Sequence, residues 1–259
     1  MKIKLHELDI LKSHGQQYIK DPTQVVLHEL FRGCPEISEN ITESEAKELE
    51  NICPTGAIKS TPEISLDMGK CLFCKECQFK NPRAIKFTND YKIATNSREE
   101  LIIKAGIKQQ VKFNDADVRK EIRKLFRKAL KLRQVSAGGD NSCEMELNAA
   151  GNVNFDMGRY GIEFHASPRH CDGIVVTGAG SKNMSEALKL CYEAIPEPKI
   201  IILVGTDAIS GGLFQESDAI DRSFFNNNKV DLYVPGNPAH PLTFINGILK
   251  LINNNKTQY

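Results

Sequence analysis

The sequence predicts an α/β protein in which a short, loop-rich cysteine module precedes a parallel sheet covered by helices on both faces. Three observations carry this reading. Five of the eight cysteines fall within the first 77 residues. The stretch 34–95 around them is punctuated by Pro35, Pro54, Gly56, Pro62, Gly69 and Pro82, the pattern of short loops about a small core. Beyond Gly138–Gly139, short Ile- and Val-rich runs alternate with amphipathic segments, the order of a buried parallel sheet and its crossover helices.

The elements follow from local patterns. Residues 1–33 form a polar arm without periodicity, and 34–95 the cysteine module. Residues 96–134 read as a linker ending in a basic amphipathic helix over Asp115–Arg133. In it Val118, Ile122, Leu125, Ala129 and Leu132 recur at three and four, opposite Arg119, Lys120, Arg123, Lys124, Arg127, Lys128 and Lys131. Residues 135–253 form the second domain. Ile174–Thr177, Lys199–Val204 and Val230–Val234 are its strands. Met184–Ala194 is a helix with Ser181 or Asn183 as its cap and Pro196 closing it, and Pro241–Ile252 is the last helix. The polar tail 254–259 is expected to fray.

Bulk properties exclude some classes. A chain of 259 residues suits two small domains, and 41% hydrophobic with 26% charged residues is ordinary for a soluble protein. The net charge of +1 gives no footprint for a nucleic-acid partner. No apolar run approaches the roughly 18 residues of a membrane span, and the start MKIKLHELDILKSHG lacks a secretory core. Clustered cysteines without an export signal point to metal in a reduced, cytoplasmic compartment rather than to disulfides.

The cysteine spacing is the strongest signal. Cys71, Cys74 and Cys77 form C-x2-C-x2-C, and three residues later stands Asn81-Pro82. The bacterial ferredoxin run is C-x2-C-x2-C-x3-C-P, with its fourth cysteine serving the other cluster of the pair. Cys53-Pro54 supplies the matching C-P ending of the first half, so Cys53, Cys71, Cys74 and Cys77 complete one 4Fe–4S site. The second site would need cysteine at Glu43, Ala46, Leu49 and Asn81, and all four lack it. Zinc also accepts four thiolates, but the crossed C-P contribution is a ferredoxin feature and favours one iron–sulfur cluster.

Other residues carry weaker signals. Cys34 fits neither spacing, and Cys171 and Cys191 read as small buried residues. Gly178-Ala179-Gly180 lacks the full dinucleotide-loop spacing. His170 and Arg169 have no nucleophile to complete a triad.

The second domain carries a resemblance. Gly138–Glu146, Tyr160–Asp172 with Ser167-Pro168-Arg169-His170, Pro196–Lys199, Val204–Asp207 with Gly211-Gly212, and Val234–Pro238 resemble the 20-kDa subunit of respiratory complex I. They are equally similar to the small subunit of membrane-bound group 4 nickel–iron hydrogenases and formate hydrogenlyase. Phe31–Phe87 resembles the two-cluster ferredoxin subunit of the same complexes, so the chain reads as a fusion of two neighbouring subunits.

The resemblance implies a flavodoxin-like second domain and, in the family, a terminal 4Fe–4S cluster held by four cysteines. Those positions fall on Asp140, Cys143, Asp207 and Asn237, of which only Cys143 is a thiol. Oxygen ligands suit soft iron–sulfur ions poorly, so the terminal site is expected to be degenerate. Because the crevice beyond the strand C-termini is the functional one in such sheets, these four residues are expected to converge there, around a filled pocket or a hard cation. The expected partners are large-subunit-like and membrane subunits, which would hold the chain on the inner face of the cell membrane. In the resembled complexes electrons pass from the ferredoxin subunit to the terminal cluster, and here that wire is interrupted. A soluble one-cluster electron carrier is the alternative.

Overall fold

A computed structural model describes residues 12, 18–106 and 111–253. The frayed-tail expectation for 254–259, most of 1–17 and the linker residues 107–110 lie outside them. The N-terminal module runs β1 (Pro35–Ile37), α1 (Glu43–Ile52), β2 (Ile58–Lys59), β3 (Ser65–Asp67), α2 (Glu76–Lys80) and β4 (Ile85–Phe87). β1 pairs antiparallel with β4, and β2–β3 are joined by β5 (Ile102–Lys104) from the linker. A capping box opens α1: the Thr42 hydroxyl accepts from Glu45 N, while the Glu45 carboxylate accepts from Thr42 N.

The helix expected over Asp115–Arg133 is a correction. Only α3 (Lys120–Leu125) is α-helical; the chain bends at Phe126–Lys128 and Leu130–Ser136 is strand β6. Leu130 and Leu132 fit a helical stripe, but they also alternate with exposed Lys131. In-register pairing on both sides, Leu130 with Ile162 and Leu132 with Gly173, decides for the strand. The continuous basic face is thereby divided between a short helix and a strand.

From β6 the chain continues through α4 (Ser142–Ala150), β7 (Ile162–Phe164), β8 (Gly173–Thr177), α5 (Lys182–Glu193), β9 (Ile200–Val204), α6 (Thr206–Ser210), α7 (Ser223–Asn227), β10 (Leu232–Val234) and α8 (Pro241–Ile252). The sheet order is β10-β9-β8-β6-β7, parallel throughout. This is the flavodoxin-like order, with its reversal between β6 and β8. The three strands and two helices read from apolar runs in this half stand where expected, with ends shifted by a residue or two.

Alternation along the central strands divides the core. Ile174, Val176, Ile201 and Leu203 share one apolar cluster with Leu66, Met68, Ile85 and Leu101 of the N-terminal module. Val175, Ile200, Ile202 and Val204 face Leu147, Phe244, Ile245 and Ile248 on the other side. Each such side chain contributes about 1.5–3 kcal/mol by leaving water. The cysteine module is therefore packed onto one face of the sheet, as α4 and α8 are onto the other. Thr95 also exchanges both backbone hydrogen bonds with Tyr233, closing the β10 edge.

Candidate functional site: a four-thiol pocket and the crevice beside it

Cys53 ends α1 as its C-cap, Cys71 and Cys74 lie on the loop that enters α2, and Cys77 stands in the first turn of α2. All four line a single cavity, closed by Pro54, Ala57, Ile58, Leu66 and Phe87. Phe73 and Lys75, between the cysteines, take left-handed backbone conformations with φ of 53° and 67°. Amides point at two of the thiols: Phe73 N–H donates to Cys71 Sγ within this loop, and Ala57 N–H to Cys53 Sγ in the turn after α1, both at 3.2 Å. Burial, followed by the neighbouring thiols, raises the Cys71 pKa, and burial pushes Cys77 up to about 11. Burial thus disfavours the thiolate form of Cys71 and Cys77 unless a cation compensates the charge. Among the described residues, no group of three or more Cys, His, Asp or Glu converges within reach of one metal ion.

The second set of residues lies beyond the C-terminal ends of the parallel strands. Asp140 follows β6, and its carboxylate accepts from Ser142 N at 2.9 Å and Ser142 Oγ at 2.6 Å, which holds its pKa down. Cys143, in the first turn of α4, is buried with its thiol pushed up to about 12 by that burial, and it packs on Gly205. Asp207, in α6, lies over Gly212. Burial raises its pKa, with Asp140 and Glu144 adding to the effect. These three are neighbours. Asn237, two residues before Ala239, whose backbone N–H reaches the Cys143 thiol, also lines a cavity with Phe31, Arg32, Phe73 and His240.

Residues that spacing could not reveal hold the arrangement. Glu144 bridges the sheet reversal, accepting from Ser136 Oγ at 2.5 Å and Thr177 Oγ1 at 2.6 Å. Gly178 packs against Gly138 and Gly139 so closely that a side chain has no room. The loop after β8 is thereby filled by backbone where a phosphate loop would leave space. Arg222, half-buried and stacked on Phe225, donates to the carbonyls of Ala179, Ala208 and Ile209 at 2.8–3.0 Å.

The sheet order, the crevice at its C-terminal edge and the cysteine module on its face define a flavodoxin-like protein fused to a four-thiol module. Residues 141–251 match the family described as NADH ubiquinone oxidoreductase, 20 Kd subunit. An uncharacterized protein of Methanocaldococcus jannaschii is 38% identical over 134 residues, covering 50% of this chain and 88% of that one. The "Probable membrane-bound hydrogenase subunit mbhJ" of Pyrococcus furiosus is 36% identical, over 44% of this chain and 69% of that one. An NADH-quinone oxidoreductase subunit of Desulfovibrio desulfuricans is 41% identical, over 42% of this chain and 59% of that one. A solved chain of the membrane-bound sulfane sulfur reductase, an archaeal respiratory membrane complex, aligns with a TM-score of 0.45 at 24% identity, covering 51% of this chain and 73% of that chain. The chain belongs to the 20-kDa subunit family of NADH:ubiquinone oxidoreductase and its hydrogenase counterparts. Among the described residues no helix is long and apolar enough to cross a membrane.

Proposed function

We propose that this chain is a peripheral subunit of a complex I-like or group 4 hydrogenase-like oxidoreductase assembly, and that it binds one 4Fe–4S cluster through Cys53, Cys71, Cys74 and Cys77. The observation that carries the reading is the common cavity lined by all four thiols. A cavity shared by four thiols can hold a four-iron cube, and the crossed Cys53-Pro54 contribution favours that cube over a single zinc ion. Such a cluster, when bound, accepts and returns single electrons.

The chain's own residues hold and shield the group. Phe73 and Ala57 direct amides at two of the sulfurs, which stabilises negative charge there. Leu66, Ile58 and Phe87 keep water from the inner wall. The terminal-site positions Asp140, Cys143, Asp207 and Asn237 present one thiol, two carboxylates and an amide, a set that does not fit an iron–sulfur cluster. No electron step is assigned to them, and that half of the chain is read as scaffold for large-subunit-like and membrane partners at the inner face of the membrane.

Iron and acid-labile sulfide in anaerobically purified protein test the site. About four irons per chain are expected, with Cys53→Ser losing as much as Cys74→Ser. Unchanged iron and absorption in Cys53→Ser contradict the crossed ligand set.

A further inference from the structure

We infer that the segment Thr206–Gln215, which walls the degenerate crevice, is a clamp that holds the two cysteine-bearing limbs of the N-terminal module at their working separation. The inference rests on the four-thiol reading and adds a role for residues that no cysteine spacing includes.

Three contacts converge on the pocket from this segment. Thr206, fully buried, donates its hydroxyl to the Cys71 carbonyl at 2.6 Å. The same Oγ1 lies 3.3 Å from Gly236 O, and Thr206 N–H donates to Gly236 O at 3.0 Å, so Cys71 is tied to the loop after β10. Ile209 packs on Gly69, where a Cβ would stand 2.8 Å from its methyl group. Gln215 Nε2 donates to Thr55 O at 3.2 Å, two residues beyond Cys53. Thr55 Oγ1 in turn donates to Lys70 O at 2.7 Å, joining the two limbs directly. One segment thus grips the Cys53 limb at Thr55 and the Cys71 limb at Gly69 and Cys71.

The clamp is itself fixed and bounded. Arg222 holds the Ala208 and Ile209 carbonyls from behind. Gly205 and Gly211, with φ of 89° and 93°, flank the helix in a conformation that other residues rarely adopt. The opposite side carries Asp207 into the crevice beside Asp140 and Cys143. Residues that frame the crevice therefore touch the loops of the pocket, and order in the pocket and order in the crevice segment are linked in both directions.

The test uses the full chain, anaerobically reconstituted with iron and sulfide, and Thr206→Val, which keeps the shape and removes the hydroxyl. Release of iron to a chelator should be about tenfold faster than wild type, with a shifted paramagnetic resonance of the reduced chain. Thr206→Ser should restore both, and Leu190→Ala, exposed on α5 and outside the segment, should change neither. Amide exchange over 205–212 should slow on iron loading in wild type and not in Thr206→Val. Gln215→Leu, which removes only the Thr55 contact, gives the same readout if Thr206→Val fails to fold. In the iron-free chain, alkylation of Cys53 and Cys71 should be faster in either variant. A wild type that takes up no iron defeats the four-thiol reading, while the alkylation rates still judge the clamp. Iron-loaded variants that match wild type in release, resonance and exchange overturn the clamp alone.

Discussion

Arg98 meets Asp67 as a two-point fork, Nη1 to Oδ1 at 2.8 Å and Nη2 to Oδ2 at 2.6 Å. Asp67 Oδ1 also accepts from Gly69 N at 2.8 Å, and the Asp67 backbone carbonyl accepts from Lys70 N and Cys71 N, both at 3.0 Å. One aspartate therefore shapes the approach to the first cysteine of the loop, and an arginine from the linker neutralises it. Arg98→Ala leaves that carboxylate, whose side chain is 16% exposed, without its cation. We expect a loss of about 2 kcal/mol, less than a fully buried pair would cost because solvent reaches the arginine. Urea unfolding with unchanged slope is the measurement, and an unaltered midpoint contradicts it.

How much of this is legible in the sequence depends on range. The Pro241–Ile252 helix is a local pattern and stands as read, and the four cysteines picked out by spacing line one cavity. Leu130–Ser136 is obscured because KALKLRQV satisfies two periods, and only its neighbours β7 and β8 decide between them. The Thr206–Cys71 contact spans 135 positions and involves a backbone carbonyl, so no residue pattern reports it. Asn237 is matched to Asp140 only by correspondence of position, and its lining of a cavity with Arg32 and Phe73 depends on contacts that no local pattern reports.

Glu144 is expected to be a structural keystone of the sheet reversal. Glu144→Ala strands the Ser136 and Thr177 hydroxyls, and Thr177 is fully buried with only a long 3.4 Å alternative at Val135 O. The cost should be about 1–3 kcal/mol. Glu144→Gln keeps an acceptor and should cost less. Equal losses in the two variants, read by thermal unfolding, contradict this role.

Asp207 makes stability depend on pH in a defined direction. Burial raises its folded pKa above the ordinary 3.8, so the folded chain holds a proton that the unfolded chain has released. Its contribution is therefore neutral below pH 3.8 and becomes unfavourable as pH rises through the raised value. Asp207→Asn should raise the unfolding midpoint at pH 7, with the advantage vanishing in acid. An advantage of the same size at both ends of the range contradicts the titration account.

The crevice rim exposes Leu213 at 59%, Phe214 at 53% and, on α4, Met145 at 66%. Exposed apolar side chains of this size favour association. Gentle detergent extraction should recover the chain with large-subunit-like and membrane components. Recovery as a lone, stable monomer contradicts the scaffold reading and favours a free electron carrier.

The central claim is one cluster in the N-terminal module and none at the terminal positions. Paramagnetic resonance of the dithionite-reduced chain tests it most directly, comparing wild type with Cys53→Ser and Cys143→Ala. The account predicts a single iron–sulfur signal, abolished or transformed by Cys53→Ser and unchanged by Cys143→Ala. A second signal that disappears in Cys143→Ala would contradict it.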